Sequence, residues 1–317
     1  MATIVGVDVG GTLLRAAAFD EDLTLLERAQ QNTKAADSAE AVLDRLYETI
    51  RQVLPESPDD LLGIGVALPG PLSAAEGILI APPNLPMRNV PIARLIHEAV
   101  GGRVYIGNDA DLAGLGEYTL GAGRDVENLV YITISTGIGG GLIERGQILA
   151  GRGLGGEVGH MVIEPGGPIC NCGKRGHLEA VASGTAIGRE ARQQLSAGEE
   201  SLLTGIVDGD IEAITAREVG EAALRNDRLA QSIIAQAGRY IGMSIASLMM
   251  LLNPDMFVLG GGVTKVGDLL FGPIKEAVRE YAMHPRYYEG VPIVPAQLGP
   301  DVGLYGSAAL VQLKARG

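Results

Sequence analysis

Gly6-Val7-Asp8-Val9-Gly10-Gly11-Thr12-Leu13-Leu14-Arg15-Ala16-Ala17 reads as a strand, a tight turn of glycine and threonine, and a second strand. The apolar runs Val5–Val9 and Leu13–Phe19 are the arms of this hairpin, and Gly10-Gly11-Thr12 is its tip. Ile132–Ile143 (ITISTGIGGGLI) repeats the plan of strand, small-residue turn and strand, so each half of the chain opens on a similar hairpin. Glycine-rich hairpin turns are common, and the pair taken alone leaves two unrelated hairpins open. Neither turn is a Walker A loop, because no glycine is followed by Lys-Ser or Lys-Thr. Neither is a dinucleotide fingerprint: Gly137-Ile138-Gly139 would need glycine at 142, where Leu142 stands.

Outward from the first hairpin, Leu62–Leu68 and Val104–Ile106 read as further strands. Ala39–Val53 and Ile92–Val100 carry helical periodicity between them, which is the alternation of an α/β domain. Ala81–Pro91 (APPNLPMRNVP) has four prolines and is loop. A second cluster of strands is expected from Asn128 to about Ile163, then mostly helices, notably Asp227–Asn253, and a strand at Met256–Leu259. The pattern predicts two domains, residues 1–120 and 121–302, with a C-terminal helix over 303–317 packing back on the first.

Composition narrows the partners. Glycine makes up 46 of 317 residues, about twice the usual ~7%, without a Gly-X-Y period, so collagen is excluded and glycine-dense functional loops are the features to seek. Acidic residues outnumber basic ones 38 to 25, a net charge of −13, which makes nucleic acid and anionic membranes poor partners. Aromatic residues are 4% with no tryptophan, against an aromatic platform for single strands. The apolar segment Ile241–Leu252 is too short to span a bilayer. No basic segment followed by an apolar one marks a signal peptide, and two cysteines make no disulfide framework; a cytoplasmic protein is expected.

A Gly/Thr turn exposes consecutive backbone N–H groups that converge on phosphate. Gly10, Gly11 and Thr12 would form one cradle; Thr136, Gly137, Gly139 and Gly140 the other. With no lysine in either, the charge of ATP would fall to amides, hydroxyls and Mg²⁺, which Asp8 is placed to hold directly or through water. Gly260-Gly261-Gly262 follows an apolar strand and suits close approach of a flat ligand such as adenine or ribose.

These stretches, with Asn253-Pro254-Asp255 and Gly303-Leu304-Tyr305-Gly306-Ser307-Ala308, resemble the actin/hexokinase/Hsp70-like ATPase fold, and within it the ROK family of bacterial sugar kinases and repressors. The resemblance covers nearly the whole chain. It implies a two-domain α/β fold (ribonuclease H-like), with a nucleotide and sugar cleft between the domains.

Gly156-Glu157-Val158-Gly159-His160 opens a dense block in which His160, Cys170, Cys172 and His177 follow a His-x9-Cys-x-Cys-x4-His spacing. Two thiolates and two imidazoles suit tetrahedral, structural Zn²⁺. A surface loop with incidental cysteine and histidine is the plainer reading, which the ROK resemblance weighs against. His177 stands where the family usually has cysteine. Glu157 and Glu179 bracket the block and, with His160, offer acceptors to sugar hydroxyls, which is what the resemblance assigns to these positions.

Gly107-Asn108-Asp109-Ala110-Asp111 follows a strand and opens the helix Leu112–Tyr118, so Asn108 and Asp109 could simply cap it. Matched to the family's Asn-Asp pair, Asp109 is the general base for phosphoryl transfer and Asn108 a sugar contact; Asp111 stands where relatives often carry asparagine. Gly70, in Pro69-Gly70-Pro71, and Asn84 resemble sugar-side loops. The resemblance thus implies an ATP- and Mg²⁺-dependent kinase acting on O6 of a hexose, glucose first. N-acetylglucosamine or N-acetylmannosamine are alternative substrates, polyphosphate an alternative donor, and a non-catalytic sugar sensor an alternative class. A homodimer or higher homo-oligomer is expected from the family alone.

Overall fold

The computed structural model describes residues 2–316. A first sheet contains β1 (Thr3–Val9), β2 (Leu13–Phe19), β3 (Leu25–Asn32), β4 (Leu61–Leu68) and β7 (Val104–Asn108), with a small two-stranded ribbon, β5 (Leu72–Ser73) and β6 (Ile78–Leu79), preceding β7 in the chain. The helices of this part are α1 (Ala39–Arg51), α2 (Ile92–Val100) and α3 (Asp109–Thr119). A second sheet contains β8 (Asn128–Ile134), β9 (Ile138–Glu144), β10 (Gln147–Ile148), β11 (Met256–Gly260) and β12 (Ile293–Pro295). Between β10 and β11 run α4 (Leu178–Ala182), α5 (Gly184–Ser196), α6 (Leu203–Ile206), α7 (Ala216–Leu224) and α8 (Arg228–Leu252); α9 (Asp268–Tyr281) precedes β12, and α10 (Val302–Arg316) closes the chain.

The two sheets share one plan. Their orders are β3-β2-β1-β4-β7 and β10-β9-β8-β11-β12. β3–β2 and β10–β9 are antiparallel, whereas β1–β4, β4–β7, β8–β11 and β11–β12 are parallel. The two quoted Gly/Thr hairpins therefore occupy corresponding places at the centres of their sheets.

Two compact units result: Met1–Glu127 with Gly141–Gly156 and Gln297–Gly317, and Asn128–Gly140 with Glu157–Ala296. The return of residues 141–156 to the first unit has a local cause. Gly141 lies so close to the backbone of Ala110 and Asp111 that an added Cβ would come within 3.0 Å of Asp111 Cα.

In the first unit, Val5, Val7 and Val9 of β1 pack with Leu14 and Ala16 of β2 and with Val42, Leu46 and Ile50 of α1. Turned to the other face, Gly6 and Gly65 sit side by side in the β1–β4 register, and α10 lies on them. A Cβ on either would strike a backbone carbonyl of α10, that of Leu304 or of Ser307. Glycine is required here by contact, and the Ser307 hydroxyl uses the proximity to donate to the Val7 carbonyl at 2.8 Å. In the second unit, α8 and α9 pair through the same device: Gly238 and Gly242 admit the backbone of Leu270 and Ile274. α8 ends on Asn253 in the left-handed region (φ 46°), with Pro254 next, as the sequence predicts.

Three expectations need correction. The second strand cluster ends at Ile148, not near Ile163, and His160 lies in a short 3₁₀ turn, Val158–His160, rather than beside a strand. Glycines and prolines from 151 to 176 hold that stretch in turns, with Gly151, Gly153, Gly156, Gly166, Gly173 and Gly176 all at positive φ. The helix after Gly107 starts at Asp109, three residues before the expected Leu112. The edge strands β3 and β12 were not anticipated.

Candidate functional site

In the first unit, three adjacent parallel strands, β1, β4 and β7, deliver their C-terminal ends to one edge. Asp8 lies near the end of β1, Gly70 two residues past β4, and Asn108 ends β7 with Asp109 opening α3. Such carboxyl-end edges are where α/β sheets collect ligand-binding groups. The Gly10 N–H closes the hairpin turn onto the Leu13 carbonyl (2.9 Å), and Gly11 and Thr12 stand at its tip. Gly11 lies against Asn84; an added Cβ would come within 2.9 Å of the Asn84 Cβ. Gly70 in turn lies near the Asn108 amide, 3.1 Å from where its own Cβ would be. The structure thus brings Gly11 against Asn84, and Gly70 against Asn108 with Asp109 next to it in sequence.

Asn108 does cap α3. Its Oδ1 accepts the N–H of Ala110 (2.9 Å) and of Asp111 (3.3 Å), which commits that oxygen to the helix and turns its NH₂ toward Gly70. Asp109 also accepts the Ala110 N–H through Oδ1 (2.8 Å), and its side chain is exposed. Asp8 is held by the Arg15 guanidinium, its register partner on β2, which also donates to the Pro300 carbonyl (2.5 Å). Burial pushes the Asp8 carboxyl up, and Arg15 works against that.

In the second unit, the β8–β9 turn is Ser135-Thr136-Gly137, with the Ser135 N–H on the Gly137 carbonyl (2.9 Å). Gly139 and Gly140, read as part of this cradle, lie within β9 instead. α5 starts against the turn: the Gly184 N–H donates to the Ser135 carbonyl (2.7 Å) and the Thr185 hydroxyl to the Thr136 carbonyl (2.8 Å). A cavity of about 790 Å³ opens here, with Ser135, Thr136 and Gly262 on one side and α5 and α7 on the other. That volume is in the range of drug-sized ligand sites.

The triple glycine serves two ends. A Cβ on Gly260 would strike the Tyr131 hydroxyl, and one on Gly261 the Ile134 backbone, so both are dictated by the fold itself. Gly262 alone of the three lines the cavity. The sequence reading missed Thr185, Arg192, Arg217 and Lys265, which also line it. Three cations there offer the charge that neither hairpin turn contains. No local motif announces them, because they come from α5, α7 and the turn after β11.

Between Thr136 and Gly184 in sequence lies the His/Cys block. One ligand atom each from His160, Cys170, Cys172 and His177 lie within 4.8 Å of one another. Cys170 Sγ is 3.6 Å from His160 Nδ1, and Cys172 Sγ is 3.2 Å from His177 Nδ1. Tetrahedral zinc with Zn–S ~2.3 Å and Zn–N ~2.05 Å sets sulfur and nitrogen about 3.6 Å apart, so the donor set fits that ion in type and in size. Burial pushes the Cys170 thiol up to about 11, and the neighbouring Glu179 carboxylate adds to it, a bias that a dication, were one bound, would reverse. The block is wound into a knuckle by the Cys170 N–H on Lys174 O (2.7 Å) and the Gly173 N–H on Cys170 O (2.8 Å).

Both proposed sugar carboxylates adjoin this block. Glu179 places Oε1 3.5 Å from Cys170 Sγ and accepts the Ile138 N–H through Oε2 (3.1 Å). Glu157 lies 3.9 Å from His160 Nε2, the ring nitrogen opposite the one that faces Cys170. His160 is therefore oriented with Nδ1 toward the block and Nε2 toward the carboxylate.

Comparison with known proteins follows the same lines. The ROK family profile matches residues 4–314. The chain is 36% identical over 316 residues to a glucokinase of Thermotoga maritima, covering 99% of this chain and 98% of that one. It is 37% identical over 314 residues to a glucokinase of Halalkalibacterium halodurans, with 97% and 94% covered. Among solved structures, a ROK family glucokinase from Streptomyces griseus in complex with glucose and AMPPNP superposes with a TM-score of 0.84 at 32% identity, covering 98% of this chain and 99% of that one. The duplicated sheet plan is accordingly the two-domain actin-like ATPase fold. Among the described residues, no helix is long and apolar enough to cross a membrane.

Proposed function

This chain belongs to the ROK family, and from that we propose that it is an ATP-dependent glucokinase, transferring the γ-phosphoryl group of ATP to O6 of glucose. The observation that carries the reading is the cluster at the carboxyl edge of the first sheet, where Asp109 stands exposed beside Asn108 and Gly70.

Phosphoryl transfer is mainly positioning and charge neutralisation, with one group to orient the attacking hydroxyl. Asp109 accepts the O6 proton as the O6–P bond forms and the bond from γ-phosphorus to the bridging oxygen breaks, releasing ADP. The Asn108 NH₂ donates to a sugar hydroxyl while its oxygen stays on the α3 cap. Glu157, Glu179 and His160 Nε2 accept from other hydroxyls. The nucleotide takes the 790 Å³ cavity, its phosphates meeting the Thr136 turn. Asp8, paired with Arg15, is the residue that would hold Mg²⁺, which would supply neutralisation of phosphate charge. His160, Cys170, Cys172 and His177 would hold structural zinc, which fixes the loop carrying the sugar-binding acids. The protein works in the cytoplasm as a homo-oligomer.

ADP release is the test, with Mg²⁺-ATP and glucose, mannose, fructose, allose, N-acetylglucosamine or N-acetylmannosamine. Glucose should give kcat/KM of about 10⁴ M⁻¹s⁻¹ or more and exceed the N-acetyl sugars. Failure of every sugar in a folded, zinc-replete sample defeats the kinase reading and favours a sugar sensor.

A further inference from the structure

Thr33, the residue after β3, is fully buried, and phosphoryl transfer as described above makes no use of its hydroxyl. Leu13 pairs with Asn32 in the β2–β3 register, so Thr33 comes opposite Thr12, at the tip of the first Gly/Thr hairpin. Both of its donors are spent on that tip. The hydroxyl donates to the Gly10 carbonyl (2.6 Å), and the Thr33 N–H donates to the Thr12 carbonyl (2.8 Å). Arg45 of α1 holds Thr33 from behind, with Nε on its carbonyl (3.1 Å), Nη2 on the Lys34 carbonyl (3.3 Å) and Nη1 on the Asp37 carboxylate (3.0 Å). All of these groups belong to the first unit.

A trans peptide is planar, with its C=O and N–H pointing opposite ways. Drawing the Gly10 carbonyl onto Thr33 therefore turns the Gly11 N–H away from Thr33. Among the described residues no hydrogen bond takes the N–H of Gly11 or of Thr12. The Gly10–Gly11 peptide most needs such a hold, because glycine on both sides lets it flip at little steric cost. A flip would replace the donor with a carbonyl oxygen, which repels phosphate where the amide attracts it. The tip follows β1 at the same carboxyl edge as Asp109, and the transferred phosphoryl group has to approach the hydroxyl that Asp109 is placed to deprotonate.

We propose that Thr33 is a positioning residue for the kinase reaction: its hydroxyl fixes the Gly10–Gly11 peptide so that the Gly11 N–H, and not a carbonyl oxygen, is presented to the transferred phosphoryl group. The inference rests on the glucokinase reading above, and it is separable from it. Thr33→Val keeps the shape and the backbone N–H and deletes the hydroxyl, and Thr33→Ser restores a hydroxyl. Both are compared with wild type in steady-state kinetics and, by calorimetry, in affinity for Mg²⁺-AMPPNP and for glucose without nucleotide. Nuclear magnetic resonance with isotope-labelled glycine follows the Gly10 carbonyl carbon and the Gly11 amide nitrogen in the unliganded proteins.

The expected result for Thr33→Val is a split. For ATP, kcat/KM falls about 10- to 100-fold, a share of what a preorganised donor is worth, and AMPPNP binds at least threefold more weakly. Glucose affinity stays within twofold, and both resonances move. Thr33→Ser brings kcat/KM back to within threefold of wild type and returns the resonances. A kcat/KM for ATP within threefold of wild type in Thr33→Val, a loss of glucose affinity in proportion to it, or equal losses in Thr33→Val and Thr33→Ser overturns the proposal. Should Thr33→Val fail to fold, Arg45→Met slackens the same hold from behind and must give the same split; wild-type kinetics in that variant also overturn it. Absence of wild-type turnover defeats the kinase reading alone. The resonances and AMPPNP affinity, which need no turnover, then decide the role of Thr33: either one unchanged in the variant overturns it.

Discussion

Gly137→Ala should separate the two jobs of the β8–β9 turn. Gly137 has no unusual backbone angle, but a Cβ there would land on the Glu179 carboxylate, whose Oε2 accepts the Ile138 N–H at 3.1 Å. The obstacle is the end of a flexible side chain, so the fold yields by letting Glu179 swing away. The lost bond is charge-assisted and is worth about 1.5–3 kcal/mol. Melting should therefore drop by only a few degrees. If Glu179 orients the sugar, the same energy withdrawn from the transition state lowers kcat/KM for glucose by about 10- to 150-fold. KM for ATP should stay within threefold, because alanine keeps the amide N–H at 137. Coupled ADP release measures both constants, and a double-mutant cycle with Glu179→Ala gives the decisive comparison. With Glu179 already gone, Gly137→Ala should do nearly nothing. A tenfold loss persisting in that background refutes the reasoning, since the turn would then act on its own.

Asp109→Ala should lower kcat by about 10²–10⁴, the usual worth of a general base, with the fold kept by the Asn108 cap; activity within threefold would remove Asp109 from the chemistry. Cys170→Ser should abolish stoichiometric zinc on elemental analysis and lower the melting midpoint, and equal metal content in variant and wild type would dispose of the zinc site. Asp227 caps α8; burial works against its charge, but the N–H groups of Ala230 (2.8 Å) and Leu202 (2.8 Å) outweigh it and hold its carboxyl below the usual range. Because the folded value is the lower one, its contribution is present above about pH 4 and is lost as pH falls through the depressed value. Urea midpoints from pH 6 to 2 should fall more steeply for wild type than for Asp227→Asn, and parallel curves would contradict this.

Residues whose roles are local were legible in sequence. β1, β2 and α2 declare themselves by alternation or periodicity, and β2 and α2 match their expected limits to the residue. His160, Cys170, Cys172 and His177 lie close together in sequence, and the structure brings their side chains together, as the spacing and the family resemblance suggested. β3 was not legible because Leu25–Asn32 is an exposed edge whose residues are mostly polar, and only pairing with β2 makes it a strand. The second unit's cavity was half legible. Thr136 and Gly262 sit in recognisable turns, but Arg192, Arg217 and Lys265 converge only through the packing of α5 and α7. Gly260 shows the opposite error. It carries a ligand-like signature, yet its glycine is demanded by the Tyr131 side chain beneath it.

The seating of α10 on Gly6 and Gly65 has a consequence for synthesis. Val7 leaves the ribosome 300 residues before Ser307, its hydroxyl partner. At ~5–20 residues per second the central strand of the first sheet waits about 15–60 s with that face bare. The second unit can assemble meanwhile, but the first is finished only once α10 has been made. A message cut short just past codon 296 would thus yield a protein with the second unit's cavity intact and its first unit unfinished, a natural substrate for chaperones and proteases.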